Sequence, residues 1–233
     1  MSLLIIVPAR SGSKGLPDKN IRNFLGKPLM SWTITAAIEA DITPHLHINT
    51  DSREYAGIAE SYGAKVPFLR EESLAGDHVV AADVYKRHLE LLKADGQTFD
   101  HLMVLLPTCP MRTAKDIQAA WHRYQELECD ALISVYEAPG KPSWLLRVSD
   151  DDRVSQLMGS KLKNRQEEEN LYFPNGAIYI FKTSIIENSV GYYDQDTRAF
   201  IMDRTKSIDI DTEEDFLLAE VLGRHALPEI FRD

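Results

Sequence analysis

The sequence predicts an α/β protein: a three-layer, doubly wound, mostly parallel sheet with a small inserted hairpin subdomain. Three observations predict it. Short apolar runs alternate with helix-periodic segments over the first half of the chain, and strands separated by helical crossovers pair in parallel. A glycine-bearing loop with several cations follows the first apolar run directly, where open α/β sheets bind ligands. The alternation stops after Pro139 and resumes at "GAIYIF".

Each element has a local reason. "LLIIVPA" at 3–9 is a buried strand, ended by Pro8 and Arg10, and is too short for a leader or a span. Leu29 to Ala40 suits a helix with Pro28 at its first turn. "HLHINT" is a strand, after which Asp51 or Ser52 caps a helix that Gly63 stops. "AKVPFLR" is extended, Val79 to Lys93 is helical, and "DHLMVLLP" is a strongly apolar strand. Thr113 caps a helix running towards Glu126, and "DALISVYE" follows as a strand. "PSWLLRVSDDDRVSQL" reads as two short strands around an Asp-rich turn, and "KLKNRQEEENLYFP" as a polar arm. Residues 140–172 therefore form an insertion in a single domain spanning 1–233, either an oligomer contact or a solvated excursion. A strand at "GAIYIF", a short helix from Thr183 to Ser189 and a closing helix from Asp215 to Gly223 complete the order.

The totals exclude several classes. At 233 residues and 44% hydrophobic, the chain buries a sizeable core. A formal charge of −10 argues against nucleic-acid or anionic-membrane partners. It leaves room for a small anion at a locally positive loop. No apolar run approaches the ~20 residues of a membrane span. Cys109 and Cys129 cannot make a disulfide framework, so a reducing cytoplasm is the simplest setting.

The first loop concentrates Arg10, Lys14, Lys19 and Arg22 against Asp18. Gly12 and Gly15 let backbone N–H groups approach a phosphate, and Ser13 adds a hydroxyl. Neither GxGxxG nor the Walker A pattern is present, because Lys14 precedes Gly15 rather than Ser or Thr. Taken as "GSKG" alone, a solvated basic loop fits equally well. Near the other end, Asp209 and Asp211 stand two apart. On a strand their carboxylates would share a face about 7 Å apart, a pair that suits a hard divalent cation such as Mg²⁺. Capping of the last helix competes with this reading, above all at Thr212.

"ARSGSKGLPDKN" resembles the signature loop of the CMP-sialic acid synthetases, the acylneuraminate cytidylyltransferases. "NTDS", "FLREESLAGD", "LLPTCPMRT", "RQ" at 165–166, "PNGAIYI" and "SIDIDTEEDF" resemble further blocks of that family, in the same order over nearly the whole chain. The resemblance implies a Rossmann-like nucleotidyltransferase fold. It implies transfer of CMP from CTP to the anomeric hydroxyl of a nonulosonic acid, with release of pyrophosphate. Legionaminic, pseudaminic or 3-deoxy-octulosonic acid are alternative acceptors, and a non-catalytic nucleotide-binding module is the alternative class.

By the same resemblance Arg10, Lys14 and Lys19 face the phosphates, with Ser13, Gly15 and Asn20 beside them. Arg70 and the backbone around Ala75 and Asp77 recognise cytosine; without the resemblance, Arg70 suits an ion pair with Glu71 or Glu72. Asp209 and Asp211 hold Mg²⁺, and Asp211 is grouped with the catalytic residues. Thr108, Arg165, Asn175, Tyr179, Tyr192 and Tyr193 belong to the sugar side, some across the interface of a homodimer. Asn-Gly at 175–176 is in itself only a turn signal. One position departs from the family pattern: Leu106 stands where a glutamine is usual, which puts the sugar in doubt more than the nucleotide.

Overall fold

The computed structural model describes residues 1–13, 15–76, 78–157, 169–189 and 191–231. Six strands form the main sheet: β1 (Leu3–Pro8), β4 (Leu46–Asn49), β5 (His101–Val104), β6 (Ala131–Glu137), β9 (Tyr172–Lys182) and β10 (Thr197–Ile201). Their order is β10-β6-β9-β5-β1-β4. β1 runs parallel to β4 and β5, and β10 parallel to β6, whereas β9 is antiparallel to both neighbours. The mostly parallel α/β sheet expected from the alternation is therefore present, with one reversed strand at its centre.

The period-2 alternation of β1 divides the core. Leu3, Ile5 and Val7 pack with α1 (Leu29–Ala40), α2 (Arg53–Ser61) and α4 (Ala114–Leu127). Leu4 and Ile6 pack on the opposite face with α3 (Ala81–Ala94) and α5 (Thr183–Glu187). Both faces of β1 are buried, which is why the strand is a continuous apolar run. Ser52 caps α2 through Tyr55 N, and Thr113 forms a capping box with Asp116 at α4.

A third cluster joins the first loop to the C-terminus. Leu16, Phe24, Leu29 and Trp32 pack with Ile210, Phe216 and Ala219, the last two from α6 (Glu213–His225). A two-stranded ribbon, β2 (Asn23–Phe24) with β3 (Lys27–Pro28), turns the chain from this loop into α1.

The insertion contains the expected hairpin, β7 (Leu146–Val148) paired antiparallel with β8 (Val154–Gln156) around Asp150–Asp152. "AKVPFLR" runs extended beside β4, as expected, with one bridge from Lys65 to His47. Two expectations change. β10 was not expected: five residues with largely exposed side chains carry little apolar signal. Asn175-Gly176 is no turn between elements but an irregularity inside β9, where the register with β6 shifts between Ile133 and Val135.

Arg112 braces the two ends of strands that meet below the cleft. It is 1% exposed. Nη1 donates to Ala177 O at 2.7 Å and Leu106 O at 3.3 Å, and Nη2 to Thr33 Oγ1 at 2.6 Å. Burial pulls its pKa down to about 10, which leaves it charged at neutral pH. Arg112→Met removes these three hydrogen bonds. At about 1 kcal/mol each the expected loss is roughly 3 kcal/mol, to be read from the urea midpoint at unchanged slope.

Candidate active site

A cleft of about 340 Å³ opens beyond the carboxyl ends of β1 and β5. Arg10, Ser13, Lys19 and Asn20 line it from the first loop, Arg70 and Gly76 from the segment after β4, Thr108 from the end of β5, and Asp209 and Asp211 from the C-terminal segment. The opposite wall is apolar: Leu74, Val79, Val84 and Tyr85. Sequence reasoning missed that wall, although Val84 and Tyr85 sit together on the inward face of the expected third helix.

The segment carrying the aspartates is not a strand, so the spacing argument holds for a different reason. Ile210 N donates to Thr108 O at 2.9 Å, and residues 207–211 form no ladder. Ile210 is fully buried in the third cluster, and Asp209 and Asp211 flank it on the open side. The buried residue between them turns both carboxylates to the cleft. The expected helix cap is also present, because Thr212 and Asp215 form a capping box.

Two contacts hold this segment against the first loop. Lys19 is 9% exposed, and its Nζ donates to Ile210 O at 2.7 Å and to Asp211 Oδ1 at 2.8 Å. Gly15 lies so close that a Cβ there would stand 2.7 Å from Asp211 O. Glycine at 15 is thus required by the protein's own main chain. Arg22, one of the four loop cations, is engaged elsewhere. It makes a two-pronged pair with Glu213 at 2.6 Å on each nitrogen and lies over the Phe216 ring.

Asp209 carries a raised pKa. Burial is the main cause, the Asp211 charge adds to it, and a hydrogen bond from Thr108 opposes it. Gly176, at φ +73°, leaves room for Asp209; a Cβ there would approach Asp209 Oδ2 at 3.2 Å and Leu106 Cδ1 at 3.0 Å. No group of three or more His, Cys, Asp or Glu side chains able to hold a metal exists among the described residues. The pair still fits Mg²⁺, which takes one or two carboxylates and completes its octahedron with phosphate oxygens and water.

Arg70 and the first loop are held by oxygens of the main chain, of Asn49 and of Asp51. Arg10 Nη1 donates to Ala75 O at 3.1 Å. Arg70 makes no ion pair with Glu71 or Glu72 among the described residues; its Nε donates to Asn49 Oδ1 at 2.5 Å and its Nη2 to Asn49 O at 2.9 Å. Asn20 is 4% exposed and donates Nδ2 to Arg10 O at 3.0 Å, while its Oδ1 has no partner among the described residues. Ser11 braces the loop from behind through Asp51, at 2.8 Å from its amide and 2.5 Å from its hydroxyl. Burial alone would raise the Asp51 carboxyl, but these bonds hold it below the usual range.

The expected sugar-side residues divide. Thr108 lines the cleft. Asn175 is buried and accepts at Oδ1 from Ser134 Oγ (2.5 Å) and Ala177 N, while donating at Nδ2 to Ser207 Oγ and Met202 Sδ. It borders a second cavity, which shares Asp209. Tyr179 stacks on Phe181, which meets Tyr192, which meets Tyr193, an aromatic ladder beside the cleft lining. Cys109 donates its thiol to Asn175 O and is fully buried, and burial pushes its pKa far up, so it packs as a core side chain. Lys14, Asp77 and Arg165 lie outside the described residues.

A family model described as "Cytidylyltransferase" matches residues 4–231. The chain belongs to the cytidylyltransferase family. It is 35% identical over 227 residues to the CMP-N,N'-diacetyllegionaminic acid synthase of Legionella pneumophila, covering 95% of this chain and 96% of that one. It is 36% identical over 220 residues to the N-acylneuraminate cytidylyltransferase of Escherichia coli, covering 93% of this chain and 51% of that one. The chain thus spans about half the length of the Escherichia coli relative. Among solved structures it resembles a CMP:2-keto-3-deoxy-manno-octonic acid synthetase complexed with CTP, with a TM-score of 0.73 at 16% identity over 97% of this chain and 100% of that one, which supports the fold. The protein is a CTP-dependent nucleotidyltransferase, as the resemblance implied. None of the described helices is long and apolar enough to cross a membrane.

The cytidylyltransferase cleft depends on Lys19 for its shape as well as its charge. Lys19→Met removes two charged hydrogen bonds, one of them to the main chain of the aspartate segment. The expected loss is about 2 kcal/mol of stability, together with strongly reduced turnover, measured by urea unfolding and by pyrophosphate release on the same preparation.

Proposed function

We propose that this cytidylyltransferase passes CMP from CTP to the anomeric hydroxyl of a nonulosonic acid and releases pyrophosphate. One observation carries the reading: Arg10 and Lys19 share a single cleft with Asp209 and Asp211. A triphosphate laid along it meets cations on the loop side and an acidic pair on the other.

Asp209 and Asp211 would hold Mg²⁺, which supplies charge neutralisation at the phosphates and alignment of the leaving group. Arg10, with Lys14, would bind the oxygens on which charge gathers as the anomeric oxygen attacks the α-phosphate in line. Lys19 keeps Asp211 in place and adds to the positive field. Arg70 has three N–H groups left after its bonds to Asn49, and these suit the O2 and N3 acceptors of cytosine. The orphan Asn20 Oδ1 suits a hydroxyl donor such as the ribose. The non-catalytic module is the weaker reading, because both aspartates stand together with Arg10 and Lys19 at the cleft.

The acceptor is the open part. Leu106 lines the cleft and packs towards Gly176. It cannot hydrogen-bond, so it favours an acceptor with an apolar group at that point over one with a hydroxyl. This supports a nonulosonic acid less hydroxylated at that point; the Legionella pneumophila relative is named for N,N'-diacetyllegionaminic acid. The buried, free thiols of Cys109 and Cys129 suit a cytoplasmic enzyme.

The insertion is proposed as the dimer contact. Leu146, Val148, Val154, Leu157, Tyr172 and Phe173 are all exposed there, between 41% and 63%. Apolar side chains so grouped mark an interface.

Pyrophosphate release from CTP with a panel of acid sugars tests the function; tight CTP binding with no release for any sugar would favour the module. Asp211→Asn is expected to remove magnesium-dependent turnover by at least about a hundredfold, the scale for losing one electrostatic stabiliser. Leu106→Gln is expected to shift the kcat/KM ratio about tenfold towards the hydroxylated acceptor. Val148→Glu with Val154→Glu is expected to give monomers in sedimentation velocity and to lower sugar turnover while sparing CTP binding.

A further inference from the structure

We infer that His88 and Asn49 are positioning residues for nucleotide recognition: a one-way chain of hydrogen bonds, Arg70 to Asn49 to His88 to His47, fixes the Arg70 guanidinium at the cleft. The inference rests on the reading of Arg70 as the cytosine-binding residue. His88 lies on α3 and His47 and Asn49 on β4, and none of the three lines the cleft. All three are buried, at 1%, 3% and 3% exposure.

The direction of the chain follows from donor chemistry. A guanidinium has only donors, so the Asn49 oxygen must face Arg70 Nε, at 2.5 Å. The Asn49 amide nitrogen then faces His88 Nδ1, at 2.8 Å. That nitrogen must accept, so the His88 proton sits on Nε2. His88 Nε2 lies 3.2 Å from His47 Nδ1 and donates to it. Each link dictates the next. Turning the Asn49 amide over would set its NH₂ against the guanidinium and its oxygen against a lone pair.

Burial keeps both rings neutral, drawing His47 down to about 4 and His88 to about 3. A protonated His88 would offer donors from both nitrogens and break the chain, so these shifts hold it closed at neutral pH. Phe68, with its ring centroid 4.5 Å from that of His88, fixes the ring plane. Arg70 gains no carboxylate in this way, and its remaining N–H groups stay directed by a rigid neutral support. A partly desolvated guanidinium held by two bonds loses little entropy on binding.

The decisive variants separate packing from hydrogen bonding. His88→Leu conserves bulk but removes the acceptor. His88→Asn is smaller but places an oxygen near the lost Nδ1. The chain predicts that His88→Leu weakens CTP binding about tenfold by calorimetry, or about 1.4 kcal/mol. It also predicts unchanged binding of inorganic tripolyphosphate, and His88→Asn within about threefold of the parent for CTP. If His88 serves only packing, the rank reverses and His88→Asn is the worse variant; that result overturns the inference. Arg70→Ala is run beside them. Should Arg70→Ala weaken CTP while His88→Leu does not, the chain is wrong and the Arg70 reading stands. Should Arg70→Ala leave CTP affinity unchanged, the Arg70 reading and the inference with it both fail. Asn49→Ala covers the case in which His88→Leu does not fold: it is expected to show the same selective loss of CTP binding, and parent-like affinity would refute the chain.

Discussion

The site depends on one junction, where the C-terminal segment is tied beneath the first loop. Residues almost 200 positions apart must meet there, and four short-range features make them meet. Ile210 N bonds Thr108 O, Lys19 bonds Ile210 O and Asp211, Gly15 yields space to Asp211 O, and Ile210 fills the third apolar cluster. Loop closure over such a separation costs entropy that grows only slowly with length. The cost is met by apolar burial under the loop, with Phe24, Trp32 and Phe216 contributing large rings. The geometry of the candidate site and the stability of this corner are therefore the same set of contacts.

How much of this was legible in the sequence varies with the range of the interaction. The buried strand at 3–8, the helix at 29–40 and the caps at Ser52 and Thr113 are set by neighbours within a few residues, and each falls where the pattern expects it. β10 was not legible, since an edge strand with exposed side chains owes its existence to pairing with β6 rather than to its own composition. The reversed direction of β9 is likewise a property of connectivity. Asn175-Gly176 misleads because the same positive φ serves a turn and an irregular strand, and only the register with β6 distinguishes them.

The candidate site was legible in chemistry more than in geometry. Composition and spacing singled out the loop cations and the two aspartates, and the resemblance brought in Arg70. Local charge counting suggested Glu71 or Glu72 as partners for Arg70, but the backbone carries it to Asn49 instead. The same limit applies to Arg22, whose partner Glu213 lies at the other end of the chain. A charge in a sequence has no partner until the fold supplies one.

This difference in partners bears on the cleft, where Arg10, Lys19 and Arg70 stand with Asp209 and Asp211. The protein's surface arginines at 22, 87, 123, 153, 198 and 224 each sit against a carboxylate, where exposure makes such pairs worth little. Arg70 and Arg112 are buried or partly buried and are held by carbonyl, amide and hydroxyl oxygens. Neutral acceptors fix a guanidinium without cancelling its charge. A carboxylate in the same place would give a stronger local bond but would weaken the attraction felt by an incoming anion at that point. Lys19 is the instructive case, because it does pair with a carboxylate, Asp211. It bonds Asp211 Oδ1 and Ile210 O together, so its charge is partly met while it fixes the aspartate segment to the loop, and Asp211 Oδ2 stays open among the described residues.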